Sequence, residues 1–222
     1  MTDSAQRFGV EAVAATLGAS TDVDACVSLA GRIDSLFEQA IASFQAEGAG
    51  IACRAGCNFC CHLRVMVFPH EAIALFRYLG SEMPKEQAQA VRKRILENAA
   101  HIAALAREGR TQTNLACGFL VDGKCSAYEA RPSTCSGYHS LSKEQCEASF
   151  DHGGNLPEGI PVLSALGYVA TALDAGIEQG LNAAKLDATR VELNTAVAAL
   201  IRNPALIQRW RSGRPLKTGG PQ

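Results

Sequence analysis

The sequence predicts a mainly α-helical single domain over residues 1–222, with irregular cysteine-rich loops and a small β-hairpin. Apolar residues recur at helical spacing through most of the chain outside the cysteines. Helical stretches do not alternate with strand-like apolar runs, as they would around a parallel sheet. A chain of 222 residues is also long enough to bury a sizeable core.

The N-terminal part of the chain is predicted to form two helices. Residues 1–20 give weak helical signals and predict only a short or loose first helix. Residues 22–46 have a stronger apolar periodicity, and Thr21 or Asp22 is the candidate N-cap. Cys26 lies near the start of this second helix, where we expect it to be a small buried apolar residue.

The middle of the chain is predicted to hold two more helices and a hairpin. Residues 63–68 are extended or form a short strand, and helices follow over residues 69–79 and 84–107. Asp122-Gly123 between short apolar segments is typical of a tight β-hairpin. Ser142 is expected to cap a short helix.

The C-terminal part is predicted to be helical. One helix should begin after Pro161 and close or bend at Gly180, and another should cover residues 186–201. A last short helix is expected over residues 204–210. The Gly- and Pro-rich tail, residues 212–222, is expected to be disordered.

Eight of the nine cysteines fall into two groups. The first group is Cys53, Cys57, Cys60 and Cys61, and the second is Cys117, Cys125, Cys135 and Cys146. Thiolates are soft ligands that suit zinc and iron–sulfur clusters, and short spacings let one loop supply several ligands. The region 53–146 is therefore predicted to bind metal, with all eight cysteines as ligands.

The spacing of the first group favours an iron–sulfur cluster. Cys53, Cys57 and Cys60 have x3 and x2 spacing, which can supply three corners of a 4Fe–4S cluster and leaves a fourth position for the second group. The x2 spacing alone also suits a zinc knuckle. Because adjacent side chains are expected to diverge, Cys61 should not share one ion with Cys60. It is expected to face a second metal, to be a reactive thiol, or to replace a neighbour as ligand.

The net charge and the cysteine content argue against several classes of function. A formal net charge of -1 argues against general electrostatic binding of nucleic acid or an acidic membrane. The N-terminus shows no secretory signal, so we expect a cytoplasmic protein whose thiols are kept reduced. The odd number of cysteines also argues against a complete disulfide framework. The sequence indicates no particular protein partner.

Three residues beside the cysteines are candidates for supporting roles. His62 and His139 could be ligands, or could donate hydrogen bonds to ligands, since imidazole suits the same metals. Arg131 could hydrogen-bond a cluster sulfur or a helix end, and the alternative is a salt bridge that steadies the turn at Pro132.

Two resemblances follow from these motifs. The spacing of Cys53, Cys57 and Cys60, with Phe59 before the last, resembles the radical S-adenosylmethionine signature. Those enzymes are built on repeated β/α units, which the helical pattern here does not offer. This resemblance covers eight residues.

A broader resemblance covers residues 53–146. It rests on the first cysteine group, Cys117-Gly-Phe-Leu, Asp122-Gly-Lys-Cys125, Ala127-Tyr-Glu-Ala-Arg-Pro132 and Cys135. These motifs resemble the bacterial cysteine-cluster family of putative zinc- or iron-chelating domain proteins. Where that family often has Arg after the last of these cysteines, this chain has Ser136.

A longer relative type, flagellin lysine N-methylase, is similar through its cysteines, and this likeness implies an iron–sulfur cluster. The prediction is a metal-binding cysteine-cluster protein that holds an iron–sulfur cluster. The alternatives are a structural zinc-binding protein and a metal-dependent protein-modifying enzyme such as a methyltransferase.

Overall fold

The computed structural model describes residues 2–18, 22–54, 56–111, 114–154 and 156–218. Within these ranges it is mainly α-helical, as predicted, with nine α-helices and two pairs of short antiparallel strands. The helices are α1 (Thr2–Thr16), α2 (Val23–Ala46), α3 (Pro69–Ser81), α4 (Lys85–Arg107), α5 (Ser133–Ser136), α6 (Lys143–Asp151), α7 (Ser164–Ala183), α8 (Leu193–Arg202) and α9 (Leu206–Arg211). The strands are β1 (Met66–Val67), β2 (Leu120–Val121), β3 (Lys124–Cys125) and β4 (Val191–Glu192).

The first helix is longer than the sequence predicted, at 15 residues, and it packs closely along α7. A Cβ at Gly176 of α7 would lie 2.0 Å from the carbonyl oxygen of Gln6 on α1. A Cβ at Gly180 would lie 2.7 Å from the Cβ of Val13. Gly180 therefore serves close packing, and α7 continues past it, contrary to the prediction that it closes or bends the helix.

The core lies where α2, α3, α4 and α8 pack together. Phe37 of α2 and Ile95 of α4 are completely buried, as is Val197 of α8. Cys26 is also in this core, as predicted. Burial raises the pKa of the Cys26 thiol to about 12, so this residue behaves as a small apolar side chain apart from the other cysteines.

Side-chain caps set the starts of several helices. The Asp22 carboxylate accepts from the Ala25 N–H at 3.0 Å at the start of α2, as predicted. The Ser142 hydroxyl accepts from the Gln145 N–H at 3.2 Å and caps α6, also as predicted. These caps are local signals, and each lies within one helical turn of the group that it satisfies.

The second strand pair was not foreseen. β1 pairs with β4 in antiparallel register, with Met66 opposite Glu192, so the segment 63–68 does contain a strand. The helix predicted over residues 186–201 begins only at Leu193, because Glu192 belongs to the strand and caps α8. Its carboxylate accepts from the Thr195 N–H at 2.7 Å.

The C-terminal tail is described only in part. The Leu216 side chain is 1% exposed and packs against the core, and residues 219–222 lie outside the described ranges. Disorder over residues 212–222 stays a prediction. None of the helices in the described part of the chain is long and apolar enough to cross a membrane.

Candidate metal centre

The first cysteine group lies on an extended segment that leads into a 3-10 turn, Phe59–His62. Gly56 has a φ of +87°, a left-handed conformation that favours glycine, so it supplies the backbone freedom that the loop needs. Ala55 lies outside the described residues. The Cys61 N–H donates to the Asn58 carbonyl oxygen at 3.0 Å and closes the turn.

The second group is distributed over a hairpin and two short helices. Cys125 is the last residue of β3, which pairs with β2. Asp122 and Gly123 between these strands have φ of 49° and 73°, as the tight turn of a hairpin requires, so the predicted hairpin is confirmed. The other members lie before the hairpin, on α5 and on α6, and are Cys117, Cys135 and Cys146.

Backbone hydrogen bonds join the segments that carry the two groups. The Cys117 N–H donates to the Cys61 carbonyl oxygen at 2.8 Å. The Ala52 N–H, beside the first cysteine, donates to the Ser140 carbonyl oxygen at 2.9 Å. The two groups therefore lie side by side, as a shared site requires. Metal ligation by the eight cysteines stays a prediction.

Ser140 connects one cysteine of each group. Its backbone N–H donates to the Cys53 sulfur at 3.3 Å. Its side chain lowers the pKa of the Cys146 thiol, against the larger effect of burial. Cys146 and Cys60 also line one small cavity of about 10 Å³, closed mainly by apolar side chains such as Phe150. Cys60 of the 3-10 turn and Cys146 of α6 therefore line the same cavity.

Cys60 and Cys61 are not oriented apart as the sequence analysis expected. Their thiols are hydrogen-bonded to each other, and this bond, followed by burial, raises the pKa of Cys60 well above its ordinary value. The physical reason is the 3-10 turn. Successive side chains there are separated by about 120°, whereas in a strand they point to opposite faces. The adjacent thiols can therefore contact each other.

The thiols of the cluster favour their neutral form in this environment. Burial raises the pKa of Cys117 to about 12. Burial also raises the pKa of four other clustered cysteines, Cys53, Cys125, Cys135 and Cys146. Neighbouring thiols add to these shifts because two thiolates repel each other. A bound cation would reverse this balance, since thiolates are the metal-binding form.

Several backbone N–H groups already point at sulfur. The Phe119 N–H donates to the Cys117 sulfur, and the Ala127 N–H donates to the Cys125 sulfur. Each donor lies two residues after its cysteine and opposes the effect of burial on the pKa. Hydrogen bonds of this kind stabilise thiolate charge and orient metal ligands.

The donor set fits a thiophilic metal in its chemistry. All nine cysteines are free thiols, and eight are clustered. Across the described residues, however, no three Cys, His, Asp or Glu side chains converge on one point where an ion could be held. Zinc–sulfur bonds are about 2.3 Å long, so the side chains must rotate about their Cα–Cβ bonds before four sulfurs could surround an ion.

Arg131 forms the salt bridge that the sequence analysis gave as an alternative. Its Nε donates to Asp34 Oδ1 at 3.0 Å, and a terminal guanidinium nitrogen contacts the Glu38 carboxylate. The guanidinium also lies 4.1 Å from the centre of the Tyr128 ring. Arg131 therefore fixes the turn before α5 to α2. Its positive charge also lowers the pKa of Cys60, opposing the larger effects that raise it.

The two histidines differ in their surroundings. His62 Nδ1 lies 3.1 Å from the Asn58 carbonyl oxygen, and its ring meets the Phe150 ring edge-on at 4.8 Å. His139 Nδ1 is buried without a hydrogen-bond partner, and burial lowers the pKa of this histidine. His62 thus packs between the first cysteine group and α6.

Three buried residues that support the second group were missed by the sequence analysis. Asn194 Oδ1 accepts from the Gly118 N–H at 3.0 Å, and Asn98 Nδ2 donates to the Ala116 carbonyl oxygen at 2.8 Å. Both amides hold the loop around Cys117. The only available signal was a polar side chain within an otherwise apolar helical pattern.

The third missed residue is Glu71. One carboxylate oxygen accepts from the Phe68 N–H at 2.8 Å at the start of α3. The other accepts from the Ser133 N–H at 2.7 Å at the start of α5, which carries Cys135. A carboxylate in a first helical turn is a common helix signal, but no local pattern connects Glu71 with Ser133.

The fold and the clustered thiols define a mainly α-helical cysteine-cluster protein. Residues 52–152 match the family model CxxCxxCC, described as a putative zinc- or iron-chelating domain. The matched segment is slightly less than half of the chain and contains both cysteine groups. This match confirms the resemblance seen in the sequence. No curated protein and no solved structure matches the chain.

Proposed function

We propose that this chain is a metal-binding protein that holds an iron–sulfur cluster through thiolates of both cysteine groups. Cys53, Cys57 and Cys60 would supply three ligands from one loop, and Cys146 would supply the fourth. The observation that carries the proposal is Ser140, whose N–H donates to the Cys53 sulfur at 3.3 Å and whose side chain lowers the pKa of Cys146, against the larger effect of burial.

The geometry around these four cysteines supports a common centre. Cys60 and Cys146 line the same small cavity. The thiols of Cys60, Cys57 and Cys146 raise the pKa of Cys53, in addition to the larger effect of burial. Four-iron clusters are held by four cysteine thiolates, and several of these are closely spaced in sequence. The cluster, when bound, would supply one-electron redox chemistry or a rigid cross-link.

A structural zinc ion is the second candidate. The observation that favours it is the pair of N–H donors on the Cys117 and Cys125 sulfurs. Structural zinc sites are closed and four-coordinate, and a four-cysteine set is one of their usual donor sets. The family description names zinc and iron equally.

Catalysis on a side chain of another protein has less support. The cavity beside Cys60 and Cys146 has a volume of about 10 Å³, which is room for about one water molecule. Ligand pockets usually have volumes of roughly 300–1,000 Å³. We therefore propose that the metal centre serves structure or electron transfer, and that it does not catalyse methyl transfer. The free thiols of all nine cysteines suit a reducing compartment, and we place the protein in the cytoplasm.

Anaerobic purification, absorption spectroscopy and analysis of iron, zinc and sulfide would test this proposal. We expect a thiolate-to-iron absorption band, with iron and sulfide in equal amounts. Cys146→Ser should lose the band, whereas Cys26→Ala should keep it because Cys26 lies in the core away from the cluster. Zinc without iron in the wild-type protein would select the second candidate. Wild-type protein with neither metal would refute both candidates.

A further inference from the structure

We propose that a basic surface near the C-terminal end of the chain binds the phosphate backbone of double-stranded nucleic acid. The surface carries six cationic side chains, and we call it the C-terminal basic surface: Lys185, Arg202, Arg209, Arg211, Arg214 and Lys217. It lies outside the segment 52–152 that matches the family model, and the inference does not depend on the bound metal.

Positive and negative charges are separated along the chain. Five of the 21 Lys and Arg residues follow Glu192, whereas none of the 22 Asp and Glu residues does. Residues 193–222 therefore carry a formal charge of +5, and residues 1–192 carry the charge of -6 that brings the net charge to -1. A net charge near zero argues against binding of nucleic acid where the two signs are mixed, and here they are not.

Buried apolar side chains hold this segment against the core. Ile207 and Trp210 of α9 are buried, and so is Leu216 after it. The Trp210 indole N–H donates to the Asp187 carbonyl oxygen at 2.8 Å. The cationic residues between these anchors are exposed or half-buried. The segment therefore has an apolar inner side and a basic outer side.

Backbone contacts bring the cations into one region. The Arg214 N–H donates to the Arg209 carbonyl oxygen at 3.3 Å, so the chain turns back after α9. A Cβ at Gly213 would lie 2.6 Å from the carbonyl oxygen of Lys185, which places Lys185 beside this turn. Arg202 is the last residue of α8, and α9 begins shortly after it.

No salt bridge within the described residues neutralises these six cations. Asp187, whose backbone contacts Trp210, has one carboxylate oxygen that accepts from the Thr189 hydroxyl at 2.7 Å. Its other carboxylate oxygen and the Arg209 Nε are buried without hydrogen-bond partners. The positive charge of the surface is therefore left to attract an anionic partner.

The residue types favour a nucleic-acid duplex as that partner. Four of the six cations are Arg, and a guanidinium group matches a phosphate with two parallel hydrogen bonds. Surface helices that bind bilayers insert apolar side chains, whereas those of α9 are buried in the core. Trp210 is the one aromatic residue after Glu192, and it is also buried, so this segment offers no ring to stack on unpaired bases. Contact with the backbone of a duplex needs neither feature.

Matched triple variants would test the proposal by fluorescence anisotropy with labelled DNA and RNA duplexes of about 20 base pairs. The full chain would be used, purified with its metal. The basic triple variant combines Arg202→Gln, Arg214→Gln and Lys217→Gln. The control triple variant combines Arg7→Gln, Lys85→Gln and Arg107→Gln, so it loses the same charge at exposed positions elsewhere. Far-UV circular dichroism would check that both variants are folded.

Salt dependence gives the expected magnitudes. Each phosphate contact contributes about -0.9 to the slope of log K against log salt concentration. With about four contacts, the wild-type slope should be about -3.6, and binding should weaken roughly 150-fold between about 50 and 200 mM salt. The control variant should keep this slope, whereas the basic triple variant should fall to about -0.9, and Arg214→Gln alone to about -2.7.

Similar binding of the DNA and RNA duplexes would show recognition of the shared phosphate backbone, and binding of one alone would identify the source. The proposal would be overturned if neither duplex bound at low salt, or if the basic triple variant kept the wild-type slope. An equal loss in the control variant would attribute binding to net charge and not to this surface. Binding to vesicles of anionic phospholipid, without binding to either duplex, would assign the surface to a membrane instead.

Discussion

Replacing Gly176 by Ala should weaken the contact between α1 and α7. The added Cβ would lie 2.0 Å from the carbonyl oxygen of Gln6, 2.8 Å from its carbonyl carbon and 3.0 Å from its Cα. All three atoms belong to the backbone, so no side-chain rotation can relieve the contact. The two helices must move apart, and overpacking of this kind typically costs about 1–3 kcal/mol.

The same substitution at Gly167 is the matched control. Gly167 is also on α7, and a Cβ there would meet no atom within 4 Å. Alanine has a helix propensity up to about 1 kcal/mol better than glycine, so Gly167→Ala should be neutral or stabilising. At Gly176 the same gain offsets only part of the steric cost.

Thermal unfolding of metal-loaded protein, followed by far-UV circular dichroism, would measure both changes. A change of 1 kcal/mol shifts Tm by about 2–4 °C in a chain of this size. Gly176→Ala should therefore melt several degrees below the wild-type protein, and Gly167→Ala at or slightly above it. If Gly176→Ala melted at the wild-type temperature, the close approach of α1 to α7 would be wrong.

Three further outcomes are expected. Burial, with a smaller effect of Arg190, lowers the pKa of His70 to about 3. Between about pH 6.5 and pH 3 the unfolded chain therefore binds a proton that the folded chain does not, so stability should fall as pH falls through this window. His70→Leu should lessen that fall in urea unfolding at pH 7 and pH 5, and an identical pH dependence would contradict the assignment. Asn194→Leu leaves the buried Gly118 N–H unpaired and should cost about 1–3 kcal/mol in the same assay, whereas the exposed Asn182→Leu should change little. Chelation of the metal should reduce hydrogen-exchange protection over residues 117–146 more than in the C-terminal helices, and equal losses would show that metal does not order this segment.

Local signals in the sequence predicted much of the fold. Asp22 and Ser142 cap their helices as expected, because a cap and its N–H partner lie within one turn. Asp122-Gly123 predicted the hairpin because few residue pairs adopt two positive φ angles. These caps and this turn depend on a few consecutive residues, so they form in the same way whatever the rest of the chain does.

Contacts between distant segments could not be predicted in the same way. The packing of α1 on α7 uses glycines, which weaken the apolar periodicity that reveals a helix. The pairing of β1 with β4 involves two residues per strand, too few to produce an alternating pattern. The helix start predicted at residue 186 was wrong because Val191 and Glu192 form β4, and α8 begins only after them.

The candidate site was predictable in composition but not in arrangement. Spacing identified all eight clustered cysteines, but it could not show that Ser140 donates to Cys53 and also acts on the pKa of Cys146. The prediction that the Cys60 and Cys61 side chains diverge was wrong, because the sequence does not distinguish a 3-10 turn from an extended loop. Buried supports such as Glu71 depend on residues far away in the chain.

The contact between α1 and α7 also orders events during synthesis of the chain. Gly9 of α1 meets Leu173 of α7, so the first helix cannot find its partner until most of the chain has been made. At about 5–20 residues per second, a ribosome needs roughly 10–30 seconds to pass from one to the other. The cysteine segment emerges entirely within that interval. The thiols of both cysteine groups therefore emerge before α1 can pack against α7.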